Sequence, residues 1–260
     1  MPHAHVETTV EDSVARVFLA RPEVRNAFDG ETVRELTAAV TAVGARDDVR
    51  VVVLGGHGKV FSAGADLEWM RTVAGFSREQ NLEDARALWA LFDAIDRCPR
   101  PVVARVQGAA LGGGAGLVAV ADIAVAAEDA QFGFTEVRLG ITPAVISPWV
   151  VRRIGMSAAR ELFLTGERFA ARRAAAIGLV HHVVPAGELD GAVAGRVGEL
   201  LQGAPGAIAA VKSLLRAVAG RSPEEVRDTT AAVIAERRAC AEGQEGLRAF
   251  LEKRRPDWAR

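Results

Sequence analysis

The residue types of carbonyl chemistry meet in one stretch of the chain, Pro101 to Gly140. An apolar run, Val102 to Val106, leads into Gly108 and the triplet Gly112-Gly113-Gly114. A second apolar run, Ile123 to Ala127, leads into Phe132-Gly133-Phe134-Thr135-Glu136. Glycines after a buried strand leave backbone N–H groups where a ligand atom can approach closely. Glu136 is a lone carboxylate in otherwise apolar, small-residue surroundings. Donors plus a base suit reactions that develop negative charge on a thioester oxygen, each donor contributing about 3–4 kcal/mol at the transition state. The glycine triplet offers one donor, and a helix beginning there adds its positive dipole end. The other small-residue turn from strand to helix is Ser62-Ala-Gly-Ala-Asp66, the candidate source of a second donor.

Competing chemistries fit less well. Gly114-Ala-Gly116-Leu-Val-Ala119 formally matches a dinucleotide fingerprint. The helix it would open is short, and the acidic residue, Glu128, comes too early. No Gly-Lys-Ser/Thr follows the glycines, which excludes a P-loop. His3 and His5 are terminal, His57 sits in a glycine turn and His181-His182 fall on a late strand, so each reads as structural or solvated. Cys98 and Cys240 lie far apart with no CxxC, so neither a disulfide framework nor a zinc site is expected.

The elements that must position these groups follow from apolar spacing. Val14 to Leu19 and Arg50 to Leu54 read as strands, as do the two apolar runs above. Asp29 is a candidate helix cap ahead of Val33, Leu36, Ala39, Val40 and Val43. A polar helix spans 78–98 with Leu82, Ala85, Leu88, Leu91, Phe92 and Ile95 on one face. Strands alternating with helices predict an α/β fold built on a parallel sheet. Short helices are expected at 143–154, 157–164 and 170–177, a last strand at 179–184, and helices at 187–202, 205–219, 223–242 and 244–254. The Ala- and Val-rich C-terminal helices are apolar on more than one face, which predicts burial against another subunit. With 260 residues, 50% hydrophobic and 25% charged, a sizeable core is expected. A net charge of -1 gives no reason to expect nucleic acid as a partner. Neither a signal peptide nor a membrane span is visible, so the expected setting is cytoplasmic.

Several stretches together resemble one family. Arg21-Pro-Glu-Val-Arg-Asn-Ala27, Phe61-Ser-Ala-Gly-Ala-Asp-Leu67, Gln107-Gly-Ala-Ala-Leu-Gly-Gly-Gly114, Ala121-Asp-Ile123, Ala130-Gln-Phe-Gly133, Glu136-Val-Arg-Leu-Gly140, Leu164-Thr-Gly166 and Ala176-Ile-Gly-Leu-Val180 are similar to the enoyl-CoA hydratase/isomerase (crotonase) superfamily. The resemblance implies a ββα spiral core over residues 1–195 and a helical C-terminal trimerisation region over 196–260. It implies a homotrimer or dimer of trimers, an acyl-CoA thioester substrate, and no cofactor beyond the coenzyme A of that substrate. By position, the N–H groups of Ala65 and Gly113 would form an oxyanion hole. Backbone groups around Ala63 and Asp66-Leu67 would hold the adenine. Phe250 and Lys253 would contact the CoA of a neighbouring subunit.

The same resemblance leaves the reaction open. Hydratases of this family use two glutamates; here the second is Glu136, and the first falls on Gly116. One glutamate suffices for a 1,3-proton shift, as in Δ3,Δ2-enoyl-CoA isomerases. Yet Gly114-Ala-Gly-Leu-Val118, with Thr135 through Pro148, is similar to a bacterial branch associated with methylglutaconyl-CoA hydration. The expectation is a hydratase of a short or branched 2-enoyl-CoA, with an isomerase and a non-catalytic acyl-CoA-binding protein as alternatives. The acyl pocket is expected from the 68–90 region and Pro143 to Trp149, with Arg71 or Arg138 available to a substrate carboxylate.

Overall fold

The computed structural model describes residues 4–259, so His3 lies outside the described residues. Among the described residues nine strands, in chain order, are β1 (Val6–Glu11), β2 (Val14–Leu19), β3 (Val51–Gly56), β4 (Val102–Val106), β5 (Ala109–Leu111), β6 (Ile123–Ala127), β7 (Gln131–Gly133), β8 (Arg168–Ala170) and β9 (His182–Val184). They form a six-stranded sheet, β1-β2-β3-β4-β6-β9, and a three-stranded sheet, β5-β7-β8. The large sheet is parallel except for the β1–β2 hairpin, as short apolar runs between helices predict. The helices are α1 (Gly30–Gly44), α2 (Leu67–Val73), α3 (Arg78–Arg97), α4 (Gly113–Val120), α5 (Ser147–Thr165), α6 (Ala171–Ala176), α7 (Leu189–Gln202), α8 (Pro205–Val218), α9 (Pro223–Ala239) and α10 (Ala241–Leu251).

Period-two alternation divides the large sheet between two apolar layers. Val52, Leu54, Ala104, Val106, Ala124 and Ala126 face the main core with α1, α3, α4 and α5. Val51, Val53, Val103, Val125 and Ala127 face the opposite way, under Leu189, Val193 and Val197 of α7. Each of those three side chains stabilises the docking by about 1.5–3 kcal/mol. A division at residue 195 passes through α7, which lies on the sheet.

Two polar anchors tie the C-terminal helices to the sheet. Lys212 of α8 is buried, and its Nζ donates to Asp122 Oδ2 and to the Arg100 carbonyl; the same Asp122 oxygen accepts from the Val102 N–H. Arg50, just ahead of β3, donates to the carbonyls of Leu201, Gly203 and Trp258.

Several sequence expectations change in detail. Leu82 is 41% exposed rather than on the core face, because the apolar stripe of α3 begins a turn later. The two helices expected at 143–154 and 157–164 meet within α5 at Gly155, whose φ 75° and ψ 161° are not helical; the first begins at Ser147 rather than 143. Leu179 and Val180 are buried but precede the ladder, leaving β9 at three residues. The strands of the small sheet, three residues each, are too short to show a period. Asp29 caps α1 by accepting from the Thr32 N–H, as expected. Both cysteines are free thiols.

Candidate active site

Two loops, each bent by glycine, are pressed together ahead of α2 and α4. Residues 61–62 pair with β5: the Phe61 N–H donates to Gln107, the Ser62 N–H to Ala109, and the Leu111 N–H to Ser62. This ladder brings Gly64 (φ 90°) onto the Leu111–Gly112 backbone, where a Cβ would lie 2.8 Å from the Leu111 carbonyl oxygen. A side chain on Gly114 would lie 2.8 Å from Ser62 Cβ, and one on Gly113 would lie 2.9 Å from the Phe28 ring. The glycines are therefore required by backbone approach.

The same contacts expose two N–H groups. Phe28 pairs with the loop on either side of Ala65, its N–H donating to the Gly64 carbonyl and its own carbonyl accepting from the Asp66 N–H, each at 2.7 Å. Ala65 is left facing the other way. Gly113 is the first residue of α4, where a helix has no internal acceptor for its N–H. Among the described residues neither N–H donates to a protein acceptor. Asn26, buried and in the left-handed region, holds the arrangement from behind: its Nδ2 donates to the His57 and Val60 carbonyls, and its carbonyl accepts from Ser62 Oγ.

Glu136 opens a short 3-10 turn, Glu136–Leu139, after β7. Its Oε1 comes within 3.2 Å of where a Cβ on Gly112 would stand, and Gly112 takes φ 51°. Its Oε2 is buried with no hydrogen-bond partner, and burial pushes its carboxyl above the usual carboxylate range. Glu136, Gly112–Gly113 and Gly64–Ala65 thus converge on one point: a titratable carboxyl beside two unused donors. That set can move a proton at a carbon next to a thioester whose oxygen the donors hold.

Position 116 is closed. A Cβ on Gly116 would lie 2.5 Å from Ile146 Cγ2 and 3.0 Å from Phe92 Cε1. Ile146, in the loop before α5, and Phe92 of α3 occupy the space a side chain there would need. This also disposes of the dinucleotide alternative, since Gly114 and Gly116 face protein side chains rather than a phosphate.

The remaining expected residues separate into three groups. The Asp66 side chain caps α2, accepting from the N–H groups of Glu68 and Trp69, and pairs with Arg21 at 3.1 Å. Its backbone N–H and carbonyl are used by Phe28 and Met70. The Ala63 carbonyl and the Leu67 N–H, by contrast, have no protein partner among the described residues. Phe250, 81% exposed, and Lys253, in the left-handed region, belong to α10 and the turn after it. Arg71 and Arg138 are exposed. Asn26, Phe28, Phe92 and Ile146 have no chemistry of their own to mark them, although Asn26 and Ile146 lie inside motifs visible in the sequence.

The described histidines are structural or solvent-facing. His181 Nδ1 accepts from the Ala124 N–H, and burial with nearby Arg153 holds its pKa at about 4. Among the described residues no group of three or more His, Cys, Asp or Glu is placed to hold a metal ion. Among the described residues no helix is long and apolar enough to cross a membrane. A separate cavity of about 310 Å³, with Asp122, Arg152 and Arg216 in its wall, opens at the far end of α4 from Gly113.

Known proteins share this architecture. The family model described as enoyl-CoA hydratase/isomerase matches residues 9–260. A Thermus thermophilus protein, whose name assigns it provisionally to the enoyl-CoA hydratases, is 40% identical over 243 residues, covering 94% of this chain and 96% of its own. An enoyl-CoA hydratase from Shewanella pealeana superposes with a TM-score of 0.95 at 41% identity, covering 98% of this chain and 96% of that one. Pseudomonas aeruginosa AtuE does so with a TM-score of 0.95 at 41% identity, covering 98% and 100%.

Proposed function

The chain belongs to the enoyl-CoA hydratase/isomerase family and is an enzyme acting on an acyl-CoA; on that premise we propose that it adds water to a short or branched 2-enoyl-CoA. The Ala65 and Gly113 N–H groups receive the thioester oxygen as it gains charge. Each contributes about 3–4 kcal/mol in a site that water has left. Glu136 is the acid and base at the α-carbon. The observation that carries this reading is its carboxyl over Gly112 with Oε2 buried and unpartnered. Burial keeps a proton on that carboxyl to higher pH than usual, which suits delivery to the α-carbon as water adds at the β-carbon.

The free Ala63 carbonyl and Leu67 N–H support adenine binding there, with the Asp66 side chain fixing the turn between them. Phe250 and Lys253 serve the CoA of a neighbouring subunit in a homotrimer or dimer of trimers. Exposed Leu247, Phe250 and Leu251 on α10 support burial against such a neighbour.

The closure of position 116 favours a second reading, a Δ3,Δ2-enoyl-CoA isomerase in which Glu136 alone carries a proton between two carbons. Substrates separate the two. Loss of the conjugated thioester absorbance of crotonyl-CoA or methylglutaconyl-CoA supports hydration. Conversion of a 3-enoyl-CoA to the conjugated ester with no hydroxyacyl product supports isomerisation. Acyl-CoA binding with neither turnover refutes both.

A further inference from the structure

Hydration handles two protons, one leaving water and one arriving at the α-carbon, and Glu136 accounts for the second. A partner carboxyl cannot come from α4, because Ile146 and Phe92 fill the space beside Gly116. The helix that supplies Phe92 carries another carboxyl in an unusual place. Asp84 lies 4, 7 and 11 residues before Leu88, Leu91 and Ile95, on the apolar stripe of α3, and is half-buried. Among the described residues no arginine, lysine or histidine pairs with it; the indole of Trp69 is its polar neighbour instead. As with Glu136, burial pushes its carboxyl upward.

Its position relative to the oxyanion donors follows from a chain of contacts. The Trp69 ring reaches within 3.0 Å of where a Cβ on Gly30 would stand, at the first residue of α1. Two residues earlier Phe28 covers Gly113 and pairs beside Ala65. At the opposite end of α1, Gly44 meets Cys98 just past α3. The two helices therefore run parallel, and Asp84 stands at the end of the pair nearest Phe28, which covers Gly113 and pairs with Ala65. Trp69, in turn, is three residues beyond Asp66 and so moves with the Ala65 loop.

We propose that Asp84 is the second acid/base of the site and manages the proton of the attacking water. The inference rests on the hydratase reading above. Water's oxygen bonds to the β-carbon as the C=C electron pair moves toward the α-carbon and thioester oxygen. The water proton passes to the Asp84 carboxylate, and the Glu136 carboxylic acid gives its proton to the α-carbon. Exchange with solvent then returns one proton to Glu136 and removes one from Asp84. Trp69 is a positioning residue, fixing one Asp84 oxygen and leaving the other for water.

The test compares two reactions of the purified full-length chain: hydration of crotonyl-CoA, and exchange of the α-protons of butyryl-CoA with D2O, which needs Glu136 and the two N–H groups but no attacking water. Asp84→Asn keeps an acceptor for Trp69 and the shape of the side chain. It should lower the ratio of hydration to exchange by about 100-fold, whereas Glu136→Gln should lower both reactions together. Trp69→Phe, which leaves the carboxyl in place, should lower the same ratio by a smaller factor and supplies the answer if Asp84→Asn does not fold. A ratio unchanged in both variants of a hydrating enzyme overturns the role of Asp84 alone. A wild-type protein that exchanges but hydrates neither crotonyl-CoA nor methylglutaconyl-CoA overturns the hydratase reading and this one with it.

Discussion

Replacing Gly116 by alanine tests the claim that Ile146 has taken the space of a side chain. The new Cβ would stand 2.5 Å from Ile146 Cγ2, at least 1 Å inside a normal carbon contact of about 3.5–4.0 Å. Relief of glycine in a helix interior contributes up to about 1 kcal/mol in favour of alanine. Overpacking costs about 1–3 kcal/mol and dominates, giving a net loss of about 1–2 kcal/mol. Ile146→Ala alone opens a cavity and costs about 2–5 kcal/mol. Together the two changes should cost less than their sum by about 1–3 kcal/mol, because the truncated Ile146 no longer meets the new methyl. Denaturant unfolding of the four proteins at one protein concentration measures this coupling. Additivity within about 0.5 kcal/mol would refute the reasoning. The cycle also bears on chemistry: Gly116→Glu alone combines the clash with a buried carboxyl, so inactivity of that variant reports misfitting rather than mechanism. A glutamate at 116 can be assayed fairly only with Ile146→Ala beside it.

Other expectations are simpler. Glu136→Gln should slow turnover by about 100-fold or more, yet its thermal midpoint should equal or exceed that of the wild type, since an unpartnered buried carboxylate oxygen is removed; a large drop in midpoint would contradict the burial argument. Gly112→Ala forces a side chain into φ 51° and against Glu136 Oε1, so stability should fall by about 1–2 kcal/mol and turnover with it, measured in the same preparations. His181 has a folded-state pKa of about 4, below its unfolded value near 6.5, so the unfolded chain binds more protons between those limits. Its contribution is therefore present above pH 6.5 and lost as the pH falls toward 4. Discounted for exposure it amounts to about 1 kcal/mol, and urea titrations of His181→Asn across that range should lack this loss.

How much of this was legible in the sequence depended on whether a residue's type or its neighbour's shape carries the information. Apolar runs at β2, β3, β4 and β6 announced a parallel sheet because each is buried on both faces. Glycine at 64, 112 and 113 signalled backbone approach, and these loops do meet beside Glu136. The small sheet left no comparable trace: three residues per strand cannot establish a period, and its pairing depends on loops closing over the core. Gly116 reads from sequence as a missing carboxylate, while the structure adds that Ile146, thirty residues later, fills the gap. Asp84 shares the spacing of the apolar face of α3 but was hidden among the charges of its first turns; the packing of α3 shows it half-buried.

Arg50 sets a schedule for biosynthesis. Its guanidinium donates to carbonyls at 201, 203 and 258, the last 208 residues downstream. At roughly 5–20 residues per second, the ribosome takes about 10–40 s to supply that final acceptor. Early in this interval the start of β3 carries a cation awaiting its partners, and until α7 has been made the face it covers lies open to solvent. The N-terminal strands can pair early, but their back is sealed only once α7 (Leu189–Gln202) has been made. Chains stalled before Leu189 should expose this apolar face, and completion of α7 should cover it.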